Sequence, residues 1–253
     1  MSPEIRCALD EVLQETSHWK DSTEKLVCFC PMRGSSADGR LMLVGRALNG
    51  WGEDTSFKAL EMVSKEAREK ILDNTMKKSS SDSGCPIQSL HDSWRKKDSK
   101  YKLNRSQFWS VAREVIKKFS TTAENEKWAN YLYWTNLYKV SPEERRNPSQ
   151  SLKLKIDSSS WKMLIIEIEL LQPKRILFLT GQGWAEQFLK STTFRASEVP
   201  QIRRVFQTGF LPFHGGEAAV VVSDHPQAKK RREIVDGVLD AFAKLGRGSC
   251  SQL

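Results

Sequence analysis

The sequence predicts an α/β fold, a three-layer α/β/α sandwich around a central, mostly parallel four-stranded sheet. Short apolar runs recur at 41–45, 131–138, 175–181 and 218–223, the first and third ending in glycine and the last running into Asp224-His225-Pro226. Runs that short and apolar on both faces are strands covered on both sides. The stretches between them carry apolar residues at helical spacing, and strands alternating with helices give a parallel sheet. With 253 residues and 39% hydrophobic content, the chain can fill one sizeable core. A single α/β domain over 1–253 is expected, with a polar, basic surface excursion at about 77–103.

Taken in order, residues 3–20 place Ile5, Leu9, Val12, Leu13 and Trp19 on an irregular helical stripe. Residues 26–29 read as a short strand, ended by Pro31 and Gly34. The run Leu41-Met42-Leu43-Val44-Gly45 is the first strand of the sheet. Ligands of such sheets sit beyond the carboxyl ends of the strands, so Arg46 to Trp51 form one wall of a site, or else a plain exit loop. Phe57, Leu60, Val63, Ala67 and Ile71 fit a helix over 57–72. The excursion that follows is small and polar up to Gly84 and basic through Arg95-Lys96-Lys97, either a solvated loop or a surface that lies against phosphates.

Ser106 caps a helix running through Phe108, Trp109, Val111, Ala112, Val115, Ile116 and Phe119. Tyr131 to Tyr138 is the second strand, with Asn136 inside it. Residues 158–172 read as a helix with Trp161, Leu164, Ile165, Ile168 and Leu171 inward, stopped by Pro173. The third strand, 175–181, leads into a helix at 184–190, and 191–213 reads as irregular. After the fourth strand a closing helix runs from about Gln227 to Leu245 and begins Lys229-Lys230-Arg231-Arg232.

Lys and Arg number 40 against 31 Asp and Glu, a net charge of +9, which favours polyanion partners, nucleic acid first. No apolar run approaches the length of a bilayer span, and Ser2-Pro3-Glu4 does not open a basic-then-apolar leader. A soluble monomer inside the cell, cytoplasmic or nuclear and away from membranes, is expected. The five cysteines are odd in number and scattered, which argues against a secreted disulfide framework. Cys28 and Cys30 form a C-x-C pair, but no second close pair completes a metal or iron–sulfur set, so reduced thiols are expected.

Distinctive polar groups follow three of the strands: Asn49 after the first, Asn136 in the second and His225 after the fourth. If the strands are parallel, these groups converge on one edge of the sheet. Here the chain resembles the uracil-DNA glycosylase superfamily over roughly residues 41–245. The loop Gly45-Arg46-Ala47-Leu48-Asn49-Gly50 stands where that superfamily has a G-x-x-P-G type loop. Thr135-Asn136-Leu137-Tyr138-Lys139, with Pro142 and Asn147-Pro148 beyond, matches its middle-strand asparagine. Glu169-Leu170-Leu171-Gln172-Pro173-Lys174 leads into a strand ending at Gly181, and His225-Pro226-Gln227-Ala228-Lys229-Lys230-Arg231 is similar to its H-P-S-x-x-x-R segment.

The resemblance implies a DNA-binding, base-excising hydrolase, a monofunctional DNA N-glycosylase needing no cofactor. Such enzymes swing a base out of the duplex into a pocket. The resemblance gives Asn136 the role of reading the base's hydrogen-bonding edge, because one amide both donates and accepts. Phe57 takes the stacking role, with Gly45, Arg46 and Ala47 lining the base pocket. His225 donates to a base carbonyl as negative charge gathers there, and Lys229, Lys230 and Arg231 hold DNA phosphates. Plainer readings stand beside these: Asn136 satisfying nearby backbone, His225 shaping a turn, and Phe57 as core. The first loop departs from the family pattern. Where active relatives carry a carboxylate or asparagine to orient the attacking water, this chain has Arg46 and Ala47, and Leu48 replaces the proline. Asn49 is the candidate substitute, and a catalytically degenerate nucleic-acid- or nucleotide-binding protein of the same fold is the alternative.

Overall fold

The computed structural model describes residues 2–19, 24–37, 41–48, 55–79, 105–119, 127–144, 146–198 and 201–248. In chain order the first elements are helix α1 (Pro3–Thr16) and strands β1 (Lys25–Cys28), β2 (Met32–Arg33), β3 (Met42–Gly45) and β4 (Ser56–Lys58). A 3-10 turn at Ala59–Val63, helices α2 (Lys65–Ser79) and α3 (Gln107–Phe119), and a second 3-10 turn at Trp128–Tyr131 come next. Strands β5 (Tyr133–Asn136) and β6 (Val140–Pro142), helix α4 (Gln150–Leu171), strand β7 (Arg175–Phe178) and helix α5 (Gln182–Lys190) follow. Strands β8 (Arg195–Ala196), β9 (Val205–Phe213) and β10 (Gly216–Ser223) then lead to helix α6 (Arg231–Gly248). The fold class is therefore α/β. The chain divides into two compact units: Met1–Met32, Gly45–Ser83 and Thr135–Leu171 form the first, and Arg33–Val44, Gly84–Trp134 and Gln172–Leu253 the second.

In the first unit α1 starts where Ser2 Oγ accepts the Ile5 N–H at 3.4 Å and Pro3 fills the first turn. It buries Ile5, Leu9, Val12 and Leu13 against α2 and α4, the face that the spacing predicts. A three-stranded antiparallel sheet of order β4-β1-β6 sets Leu26 opposite Phe57 on one side and Pro142 on the other. The short strand expected at 26–29 thus belongs to a sheet of its own.

The helix expected over 57–72 is corrected. Phe57 lies on a strand, and Leu60 and Val63, 66% and 70% exposed, sit on the 3-10 turn. An i, i+3 spacing suits a 3-10 turn as well as an α-helix, so periodicity could not separate the two. Helix α2 starts after Ser64, whose Oγ accepts the Ala67 N–H at 3.3 Å. Helix α4 begins well before residue 158, with Ser149 Oγ accepting from Leu152 N–H at 3.2 Å. Leu164 and Ile168 are buried as expected, but Trp161, Ile165 and Leu171 are only half-buried. The inward face carries Ser159, Ser160 and Glu167, so an apolar stripe alone misplaces it.

The second unit holds most of a seven-stranded sheet of order β2-β5-β3-β7-β10-β9-β8. Strand β7 pairs in parallel with β3 on one side and with β10 on the other, whereas β9 is antiparallel to β10 and to β8. The sheet is therefore mixed and larger than four strands, a correction to the expected sheet. Strand β9 lies within the stretch expected to be irregular. Gly209 and Pro212 hid it, yet Pro212 pairs with Glu217 of β10 and lies past the last β8 pair, where its missing N–H costs no ladder bond.

Helix α6 covers β9 and β10 and touches α3. Gly237 permits that approach, since a Cβ there would meet the Arg203 carbonyl oxygen at 2.2 Å. At the start of α5, Gly181 adopts φ 79°, which favours glycine, and its N–H reaches the Ser223 carbonyl at 2.9 Å. Trp109 of α3 meets Trp134 edge-on at a centroid distance of 4.7 Å, filling the core beside β5. Among the described residues no helix is long and apolar enough to cross a membrane.

Burial pushes the Cys28 thiol from 9.0 up to about 12, outweighing the Thr75 hydrogen bond, the Phe29 backbone and the Lys139 charge, all of which act downward. The folded state thus favours the protonated thiol, so this contribution is complete below pH 9.0 and is lost as the pH rises toward 12. Urea unfolding is expected to show the wild-type protein losing about 1 kcal/mol per pH unit above pH 9 relative to Cys28→Ala. Parallel curves for the two proteins over that range would count against a buried neutral thiol.

Candidate functional site

The end of β5, in the first unit, is held by an unusual set of contacts. Thr135 and Asn136 are 1% and 2% exposed, and Lys139, just past the strand, is completely buried. The Lys139 ammonium folds back on its own segment, donating to Thr135 Oγ1 at 2.7 Å and to the Asn136 carbonyl at 2.6 Å. Its counter-charge is Glu167 of α4, also completely buried, with Oε1 at 2.8 Å from Nζ. That contact is ionic in distance, but neither carboxylate oxygen meets hydrogen-bond geometry. From the far side, the Phe29 N–H donates to the Lys139 carbonyl at 2.8 Å.

The backbone of Asn136 is thereby fixed while its side-chain Nδ2 is left without a partner among the described residues. Asn136 Nδ2 is buried and makes no hydrogen bond to any described protein atom. An unpaired buried donor costs roughly 1–3 kcal/mol, a burden usually relieved by a ligand or by rearrangement. The side chain therefore does not serve local backbone through Nδ2.

The first loop runs alongside. Gly45 and Arg46 accept through their carbonyls from the N–H groups of Leu137 and Tyr138 at 2.9 and 3.0 Å, and the Leu48 carbonyl accepts from Ser141 Oγ at 3.0 Å. Gly45, Arg46, Ala47 and Asn136 are thus brought together. Burial pushes the Arg46 guanidinium below its ordinary pKa. Arg46 and Ala47 are half-buried, and Phe57 is 3% exposed, paired across the small sheet with Leu26. Asn49 and residues 80–104 of the basic excursion lie outside the described residues.

In the second unit, β10 ends at Ser223 and delivers Asp224, His225 and Pro226. His225 is half-exposed, and its Nδ1 accepts from the Gln227 N–H at 3.4 Å, which puts the proton of the neutral ring on Nε2. Arg204 fixes the approach. Its carbonyl accepts from Ser223 Oγ at 2.7 Å and from the Asp224 N–H at 3.1 Å. Its guanidinium reaches Asp224 Oδ2 at 3.2 Å and Glu233 Oε2 at 2.9 Å. Burial acts against ionisation of Glu233, but the hydrogen bond from Arg204 and the charge of Arg203 win and hold its carboxyl below the usual range. Arg204 itself sits at φ 66°, a strained conformation tolerated because these contacts over-determine it.

Lys229 and Lys230 are exposed at the mouth of α6, while Arg231 donates from Nε to Glu114 Oε1 of α3 at 2.9 Å. Arg231 is thus already engaged by a carboxylate. Among the described residues no cluster of His, Cys, Asp or Glu could hold a metal ion, and Cys28 and Cys30 are buried thiols.

No family model matches this sequence, and no curated protein matches it. The chemistry therefore rests on the residues themselves. Sequence reasoning missed Glu167, Arg204 and Glu114. Glu167 carried one visible signal, a carboxylate between the apolar positions Leu164 and Ile168. Arg204 and Glu114 carried none, because their partners are distant in the chain.

Removing one member of the buried pair leaves the other charge unpaired, a loss of about 3–5 kcal/mol. Lys139→Met is expected to lose stability on that scale in urea unfolding. Adding Glu167→Leu should restore most of the loss without restoring whatever activity depends on a fixed Asn136. A double variant no more stable than Lys139→Met would show that the pair's charges are not the source of the cost.

Proposed function

We propose that this chain is a uracil-DNA glycosylase-like protein, a monofunctional DNA N-glycosylase that removes a damaged or deaminated base. The fold behind this reading is a three-layer sandwich around the four strands β5, β3, β7 and β10, with three further strands added at its margins. The observation that carries it is the buried Asn136 amide, left without a protein partner for Nδ2 while Lys139 and Thr135 secure its backbone. An amide held ready in that way suits the donor–acceptor edge of a flipped base. His225, with its proton on Nε2, supplies a donor for charge developing on a base carbonyl, a contribution worth roughly 3 kcal/mol. DNA is the partner and an intracellular monomer the working form.

A second reading has its own support. Arg46 and Ala47 occupy the loop positions at which the resembled enzymes orient water, and neither side chain activates a nucleophile. On that reading the protein binds nucleic acid or nucleotide without cutting a glycosidic bond.

Labelled single- and double-stranded oligonucleotides carrying uracil, hypoxanthine or xanthine, incubated with the protein and then cleaved with alkali, separate the two. Strand scission is expected, reduced about a hundredfold or more by Asn136→Ala and by His225→Ala. Absence of scission on every substrate, with salt-sensitive binding retained, supports the second reading and ends the first.

A further inference from the structure

Within the second unit, the C-terminal half of α3 and the first turns of α6 face each other across an open cleft of about 740 Å³. Its lining includes Lys117 and Lys118 from α3, Lys229 and Lys230 just ahead of α6, and Arg231 and Arg232 at its start, against only the carboxylates Glu114 and Asp236. The carboxylates are spent on individual cations: Glu114 meets Arg231 at 2.9 Å, and Asp236 meets Arg232 at 3.6 Å. Among the described residues Lys118 and Lys229 have no ion pair. Burial lowers the Lys117 pKa and the nearby Arg113 lowers it further, with Glu114 acting weakly the other way, as expected where cations crowd together. Such a cleft favours a ligand whose negative charges repeat along its length, because each charge neutralised releases counterions.

We propose that this cleft seats a nucleic-acid phosphodiester backbone, with Lys117 and Lys118 as a second cationic wall opposite Lys229 and Lys230. Glu114 restrains Arg231, so that Arg231 is released to a phosphate only when that ion pair opens. The inference rests on the nucleic-acid part of the proposed function but not on base excision. It also changes the role given to Arg231, from an open phosphate ligand to one held in competition.

Fluorescence anisotropy of the full chain with undamaged oligonucleotides, single-stranded and duplex, tests it between about 50 and 200 mM salt. Lys117→Gln/Lys118→Gln is expected to weaken binding about tenfold at intermediate salt and to flatten the log–log salt slope by between about 1 and 2. Glu114→Gln should tighten binding about threefold by releasing Arg231, on the same electrostatic grounds. Lys190→Gln, which removes a cation of α5 that does not line the cleft, should leave binding of undamaged strands nearly unchanged. A lysine double variant that melts like the wild type and keeps its affinity and slope overturns the proposal. So does an affinity loss in Lys190→Gln equal to that of Lys117→Gln/Lys118→Gln. Weakened binding in the lysine variant, with no excision from any substrate, supports this cleft and counts against the glycosylase reading alone.

Discussion

A lysine ammonium with no exposed surface, placed against a carboxylate with none, is the constraint around which the first unit is arranged. Each ion loses several kcal/mol of hydration on burial, and their attraction rarely returns more than that. Apolar residues of the same volume would serve stability as well or better. What apolar residues cannot do is hold the chain's own carbonyl and hydroxyl at the end of β5, as Lys139 does with Asn136 and Thr135. The ion pair is best understood as a clamp, with Glu167 present so that the clamp can be charged. The first loop depends on the same segment, since Leu137, Tyr138 and Ser141 donate to its carbonyls.

The second unit solves a related problem with less burial. Arg204 braces the segment after β10 through both its carbonyl and its guanidinium, and its side chain remains 27% exposed. Partial exposure makes this brace weaker and more sensitive to salt than the Lys139 clamp. The difference fits the side chains that follow. An amide that must meet a ligand's edge with a fixed backbone benefits from a dry, rigid support. A histidine in a His-Pro turn, with Ala228 held at φ 57°, sits on a segment whose exit is a tight bend rather than a strand.

Much of this architecture was legible in the residues. Continuous apolar runs revealed β3, β5, β7 and β10, because a strand covered on both faces needs no polar alternation. Strand β9 was hidden by Gly209 and Pro212, residues that read as loop until a neighbouring strand is known to stop short of the proline. The helix expected at 57–72 failed for a different reason: 3-10 and α turns share i, i+3 contacts, and Leu60 and Val63 proved to be outside rather than inside. Asn136 and Lys139 were visible because they lie in one short motif. Glu167, Arg204 and Glu114 act through partners more than fifteen positions away, and linear spacing carries no information about such pairs. Arg231 shows the consequence: four cations in a row look uniformly available, but one of them faces a carboxylate on another helix.

The two kinds of recognition proposed for this protein obey different physics. Cations lining a solvent-open cleft attract any polyanion, and their effect fades within about 8 Å at physiological salt. A buried amide contributes little to encounter, but it discriminates strongly once a partner is in place, because a mismatched partner leaves donors unpaired. Raising ionic strength should therefore remove the first contribution and spare the second. On the proposed reading, having Arg46 and Ala47 where the resembled enzymes orient water affects neither of them. On the proposed reading, binding and base discrimination persist whether or not a glycosidic bond is cut, so catalysis has to be measured on its own rather than read from affinity.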